Sequence, residues 1–268
     1  MILKKIELSN FRNYDHLSTR FFKGINIIYG DNAQGKTNLL ESIYTLGITK
    51  SHRSFIDNSL IKNGEEMSTI RGVINNGSLD TKLELIIENN KKRLFIDNSP
   101  IRKVSDYLSS MNIIIFYPDD LELLKGSPQI RRKYFNLELS QLYSNYYVVL
   151  NDYNKLLKIR NEYLKKINFN KYVDMNYFNI LTSYLVDKTI ILMKMRAKYV
   201  EKINEYCDSI FKDIMNMDNF KIKYISSLNI DLKSDNLKED LIAFYENKLS
   251  YDIKNSSTCF GPHRDDYE

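Results

Sequence analysis

Gly30-Asp31-Asn32-Ala33-Gln34-Gly35-Lys36-Thr37 fits the pattern G-x-x-x-x-G-K-[ST] at every fixed position. In a loop of this kind the glycines let the backbone turn its N–H groups inward around phosphate oxygens. Lys36 is placed to reach β and γ phosphates, and the Thr37 hydroxyl can ligate Mg²⁺. The bare pattern arises by chance in roughly one chain of this length in a hundred, so its surroundings have to decide. Ile25-Asn26-Ile27-Ile28-Tyr29 before it reads as a buried strand, and Thr37 to Leu46 after it puts Leu39, Leu40, Ile43 and Leu46 on one helical face. Strand, glycine loop and helix together aim a helix N-terminus at phosphate.

The 268 residues are enough for one large domain or two modest ones, each with a core. With 43% hydrophobic and 27% charged residues the composition is that of an ordinary globular protein. A net charge of +5 permits anionic partners without requiring them. Two cysteines, Cys207 and Cys259, form neither a disulfide framework nor a spaced zinc motif, which points to a reducing, cytoplasmic setting. The first eight residues interrupt their apolar positions with charges and do not read as a signal peptide. No apolar run reaches the ~20 residues of a membrane span, so no membrane partner is expected.

Along the chain, 2–8, 18–22 and 25–29 read as strands, with Arg12 in the turn Asn10-Phe11-Arg12-Asn13-Tyr14. A polar basic link, Lys50-Ser51-His52-Arg53-Ser54, follows the loop helix. Its arginine can serve a phosphate or simply face water. Segments 67–74, 79–87 and 91–96 alternate like an antiparallel meander, broken at Asn75-Asn76-Gly77-Ser78 and Glu88-Asn89-Asn90-Lys91. Asn112 to Phe116 is an apolar run ending near Asp119 and Asp120, like a Walker B strand. Pro118 stands where such a strand would end, which favours a strand exit lining the site over a working Walker B.

From Gln129 the period lengthens. Phe135, Leu139, Leu142, Tyr146, Val149, Tyr153 and Leu156 predict one long helix over 129–165, and a second runs from about 175 to 216 with Cys207 on its apolar stripe. Together they predict an antiparallel helical lobe. Arg131, Arg132 and Lys133 open the first helix, where cations oppose the macrodipole. A target outside the helix would explain them, and so would a solvated face. A strand at 220–225, a helix near 236–249 and a motif-rich close, Gly261-Pro262-His263-Arg264-Asp265-Asp266, complete the chain.

Several of these stretches together resemble one family: Ser9 to Tyr14, Gly30 to Asn38, Ser51-His52-Arg53, Tyr117-Pro118-Asp119-Asp120-Leu121, Lys125 to Pro128 with Arg131-Arg132, and Gly261 to Asp266. The family is that of the bacterial DNA replication and repair proteins RecF, related to SMC heads, and the resemblance runs from residue 9 to residue 266. It implies an α/β fold of the ABC-type P-loop ATPase head, with an antiparallel N-terminal β region and an inserted helical lobe. The expected organisation is a nucleotide lobe over 1–126, a helical lobe over 127–218 and a return segment over 219–268.

The resemblance implies ATP and Mg²⁺ as ligands, held by Gly30, Asp31, Asn32, Ala33, Gln34, Gly35, Lys36, Thr37 and Asn38, with Thr37 on the metal and Arg12 and Arg53 nearby. It implies duplex DNA near single-strand gaps as a partner, with Arg53 placed between phosphate and DNA; Arg131, Arg132 and Lys133 are the other candidate contacts, on the strength of their place at the helix start. It further implies the mediators RecR and RecO, loading of the RecA recombinase, a role in DNA damage and the SOS response, and homodimers closed by ATP. A head of this kind also needs a signature segment and a Walker B strand after the last motif, so a piece ending at Glu268 is expected to stay monomeric and not to hydrolyse ATP. The competing expectations are a self-contained P-loop kinase or GTPase working through Lys36, Thr37 and Asp119, and a helical adaptor with a vestigial loop.

Overall fold

The computed structural model describes residues 1–54, 56–216 and 220–268, without the side chains of Asp119 and Asp208. The chain divides into two compact units, Met1–Tyr117 and Pro118–Glu268.

The first unit is a six-stranded antiparallel sheet under helices. Its strands are β1 (Ile2–Phe11), β2 (Tyr14–Arg20), β3 (Met67–Asn75), β4 (Asp80–Glu88), β5 (Lys91–Ile96) and β6 (Ser99–Ile101), in spatial order β2-β1-β3-β4-β5-β6. Two hairpins close with two-residue loops: Glu88 pairs with Lys91 and Ile96 with Ser99. Asn89, Asn90, Asp97 and Asn98 in those loops all have positive φ, the backbone that matches strand twist and that Asn and Asp tolerate. Alternation along the strands buries Ile6, Leu8, Ile70, Leu83, Leu85, Ile87 and Leu94 on one face.

Helices α1 (Lys36–Ile48) and α2 (Val104–Leu108) cover that face, contributing Leu39, Leu46 and Tyr107 to the core. The approach of α1 to the sheet depends on Gly72. A Cβ there would stand 2.4 Å from Leu46 Cδ2. Leu40, expected on the buried face of α1, is 47% exposed.

Two expected strands do not form. Residues 25–29 and 111–117 carry no ladder pairing, and Ile25, Ile27, Tyr29, Ile114 and Phe116 are strongly exposed. Both runs have the composition of strands, but a strand is a ladder shared by two segments, and neither run is part of one. Pro118 opens a 3₁₀ turn, Pro118–Leu121. The side chain of Asp119, the candidate Walker B acid, lies outside the described residues.

The second unit is built on helices. After the short α3 (Glu122–Lys125) come α4 (Pro128–Leu142), α5 (Ser144–Asn168) and α6 (Met175–Met215). The single helix expected over 129–165 is two, because Tyr143 is extended (φ −133°, ψ 101°). The apolar spacing keeps its phase across the break, from Leu139 through Leu142 to Tyr146, so periodicity could not reveal it. Helix α6 starts where the Asp174 side chain accepts from the Tyr177 N–H at 3.1 Å and ends at Asn216 in the left-handed region.

Residues 220–268 pack in the same unit, with β7 (Tyr224–Ile225) and β8 (Asp266–Tyr267) paired antiparallel and α7 (Leu237–Asn247) and α8 (Leu249–Lys254) between them. The six-residue strand expected at 220–225 is thus reduced to two residues, and the helix expected near 236–249 forms as α7, with α8 following it. The expected boundary at 218/219 falls on residues 217–219, outside those described. Leu228, Leu237, Leu241 and Tyr245 share a core with Leu139, Tyr146, Tyr153, Leu185 and Met193.

Candidate nucleotide-binding site

The phosphate loop leads straight into α1. Gly35, just before the helix, is left-handed at φ 97°, and a Cβ there would lie 2.8 Å from both Asn13 Nδ2 and Tyr14 Oη. Glycine is therefore required twice over, for its backbone angle and for the contact. The N–H groups of Lys36, Thr37 and Asn38 precede the first intrahelical bond, from Leu39 N–H to the Gly35 carbonyl at 2.9 Å. The first turn holds no acidic residue, so these donors and the positive end of the helix dipole present an anion seat. Lys36 arches over the loop and donates to the carbonyls of Gly30 and Asp31 at 2.7 and 2.6 Å.

A second set of groups flanks this seat. The β1–β2 turn places Arg12 at φ 54°, and its N–H donates to the Leu60 carbonyl at 2.9 Å. Its guanidinium grips Glu41 of α1 with Nε at 3.0 Å and Nη2 at 2.8 Å, while Nη1 donates to the Ser59 carbonyl at 2.7 Å. Arg53 reaches the same carboxylate at 3.4 Å and Asn38 Oδ1 at 3.0 Å. Asn38 also donates to Asn13 Oδ1 at 2.8 Å, and the Tyr14 hydroxyl donates to the Gly35 carbonyl at 3.1 Å. Arg12, Asn13, Asn38 and Arg53 line one open cavity of about 390 Å³. Burial by itself would raise the Glu41 pKa, but the hydrogen bonds from Arg12 and Ser51 and the two guanidinium charges outweigh it and hold the carboxyl below its usual range.

In the second unit the basic cluster that opens α4 is held by its own frame. Arg131 forks onto Asp266 with two 2.8 Å bonds and donates to the carbonyls of Gly126 and Leu123 at 2.9 and 3.3 Å. Arg132 donates to the Asp265 carbonyl at 2.7 Å. The unfavourable placement of cations at a helix start thus has a target outside the helix, the carboxylate and backbone of the closing segment.

That closing segment is a hub. Asp265 meets Arg196 at 3.0 Å, accepts from the Tyr224 hydroxyl and takes the Ser227 N–H at 2.9 Å. His263 sits between the Tyr153 hydroxyl at 2.6 Å and the Thr258 carbonyl at 2.9 Å. Its Nε2 therefore carries the proton and its Nδ1 accepts. Arg160 is buried against Asp252 at 2.8 Å and lies over the rings of Phe178 and Tyr245.

Residues 2–121 match the family model described as RecF/RecN/SMC N terminal domain. Over its whole length the chain is 40% identical to the DNA replication and repair protein RecF of Clostridium novyi (strain NT), 73% of which it covers. The chain belongs to the RecF family. RecF of Shouchella clausii (strain KSM-K16) is 36% identical over 99% of the chain and 72% of its own length. A solved structure of the recombination mediator protein RecF with ATPrS in the RecFOR pathway superposes with a TM-score of 0.91 at 32% identity, covering all of this chain and 72% of that one. The same mediator with ATP gives 0.91 and 32% over 99% of this chain. The fold is thus the ABC-type P-loop ATPase head of RecF proteins.

Sequence reasoning placed Arg12, Asn38 and Arg53 in the candidate RecF site, and the fold brings all three to one cavity. It missed Glu41, which binds two of them, and Ser51, which binds Glu41. The available signal was a carboxylate in a helix between buried Leu39 and Ser42, a position where an unpaired charge would be costly.

Proposed function

We propose that the chain binds ATP with Mg²⁺ through Gly30 to Thr37 and Asn38 and serves as a recombinational repair protein in which nucleotide controls assembly. Lys36 and the N–H groups opening α1 would hold the phosphates, and Thr37 would ligate the metal. Arg12 and Arg53 would bring positive charge from the flanking cavity. The bound metal supplies charge neutralisation on the phosphates. The observation that carries this reading is the convergence of the acid-free α1 N-terminus with the Arg12–Glu41–Arg53 cluster beside it.

In a head that also carries the signature segment and the Walker B strand, ATP would act by closing two heads on each other, so that nucleotide changes DNA affinity by changing assembly state. The DNA partner would be duplex near a single-strand gap, bound in the cytoplasm, with RecR and RecO as fellow mediators and RecA as the recombinase delivered. The contacts would be to phosphates and nearly sequence-independent. Arg53, Arg132 and Lys133 are the proposed contacts, with Arg131 secondary because Asp266 engages it.

The test is an ATP titration of the chain and of Lys36→Ala, with gapped duplex binding measured from 50 to 200 mM salt. ATP affinity should collapse in the variant, and duplex affinity should fall by orders of magnitude with salt. Equal ATP binding by the two proteins removes the nucleotide assignment, and salt-independent duplex binding removes the DNA assignment.

A further inference from the structure

Glu41 is buried, negatively charged and close to a seat for anions, where it should repel the ligand. Its side chain has no exposed surface. Its neighbours explain its presence. Arg12 gives it two short bonds and takes a third fixed point from the Ser59 carbonyl, so the guanidinium plane is set from two directions. Arg53 is held more loosely, with a 3.4 Å contact to Glu41 and its side chain 47% exposed.

A second tie runs through Ser51. Its hydroxyl donates to Glu41 Oε1 and accepts from the N–H groups of Arg53 and Ser54 at 2.9 and 3.0 Å. One carboxylate therefore joins the β1–β2 turn, the phosphate-loop helix and the link carrying Arg53. Without it, two guanidiniums in one cavity would repel each other. With it, the triad keeps a net positive charge and a fixed shape.

Resting on the proposed ATP assignment, we infer that Glu41 is a positioning residue: it holds Arg12 and Arg53 as a preformed cationic wall of the 390 Å³ cavity beside the phosphate loop. A polyphosphate then meets donors that need no reorganisation, which is how preorganisation raises affinity. Glu41 does not touch the ligand and acts through the two arginines.

The inference is tested with Mg²⁺ and ATP by calorimetric titration of the wild-type chain, Glu41→Gln, Arg12→Ala, the Glu41→Gln/Arg12→Ala double variant, Glu41→Asp and Ser51→Ala, each first checked for a cooperative melt. Glu41→Gln and Arg12→Ala should each weaken ATP about tenfold, the loss expected for a charge-assisted hydrogen bond. The double variant should lose only about threefold beyond Arg12→Ala alone, because the part of the change that acts through Arg12 is already gone and only the tie to Arg53 remains. Glu41→Asp, which keeps the charge, should recover part of the loss. Ser51→Ala, which frees only the link, should lose about threefold and stands in for Glu41→Gln if that variant does not fold.

An unchanged affinity in Glu41→Gln, or a full tenfold further loss in the Arg12→Ala background, overturns the positioning role. ATP binding that ignores Lys36→Ala, or that is absent from the wild type, strikes the phosphate-loop assignment itself and takes this inference with it.

Discussion

Arg196 of α6 and Asp265 of the closing segment lie 3.0 Å apart with side chains 1% and 0% exposed. Every other donor on Arg196 that the structure describes points to a partner inside the same unit: Tyr146 at 3.0 Å, the Pro262 carbonyl at 2.7 Å and Asn136 at 3.0 Å. A buried pair of this kind is weak evidence of net stabilisation, yet removing one partner strands a charge. Asp265→Ala should therefore destabilise the chain by about 3–5 kcal/mol, read as the shift of a urea midpoint. A loss below about 1 kcal/mol would mean that water reaches Arg196 and solvates it.

His263 gives the same segment a pH response. Burial pushes its pKa down from 6.5 to about 4, against the pull of the Thr258 carbonyl that accepts its ring proton. The unfolded chain then binds a proton that the folded chain refuses between about pH 6.5 and pH 4. Stability is full above that window and falls as pH drops through it, by about 1–3 kcal/mol for this group. Below about pH 4.5 Glu41 and Asp266, whose carboxyls are held low, add their own losses. Melting midpoints taken every half pH unit should slope less between 4.5 and 6.5 in His263→Gln than in the wild type. Equal slopes would show that His263 titrates normally in the fold.

Gly72 predicts a steric cost in the first unit. It faces Ile6 of β1 and Leu83 of β4 in register, and a methyl there would stand 2.4 Å from Cδ2 of Leu46, a fully buried side chain. Gly72→Ala should cost about 1–3 kcal/mol as overpacking, and Leu46→Ala about 2–5 kcal/mol as a cavity. The double variant should cost clearly less than the sum, since each change makes room for the other. Additive losses in denaturant midpoints would show that the helix and strand do not approach as closely as this.

What the sequence disclosed follows from how local each signal was. The phosphate loop is legible because eight consecutive residues carry the whole requirement. The meander is legible because alternation and Asn-rich turns sit within a few residues of each strand. The stretches 25–29 and 112–116 misled because β-branched runs report burial and stiffness, whereas a strand is a property of a pair. The break at Tyr143 left the apolar phase intact and so left no trace. The pairings of Glu41 and Asp266 were unreadable for another reason. Their partners, Arg12 and Arg131, lie 29 and 135 residues away, and a lone charge in a sequence does not announce which distant residue neutralises it.

Arg131, Arg132 and Lys133 were one basic run in the sequence, and the fold separates the first from the others. Arg131 is bound by Asp266 and two carbonyls, and that carboxylate raises its pKa. Arg131→Ala should therefore act first on stability, leaving Asp266 without its cation and costing about 1–3 kcal/mol. Lys133→Ala, placed in the proposed DNA surface, should weaken gapped and ungapped duplex alike and lower the slope of log affinity against log salt by about one unit. Arg132→Ala should do both in part, because its guanidinium already donates to the Asp265 carbonyl. Fluorescence anisotropy across a salt series, read beside the melts, separates the three. A Lys133→Ala variant with an unchanged salt slope would remove the start of α4 from the DNA surface.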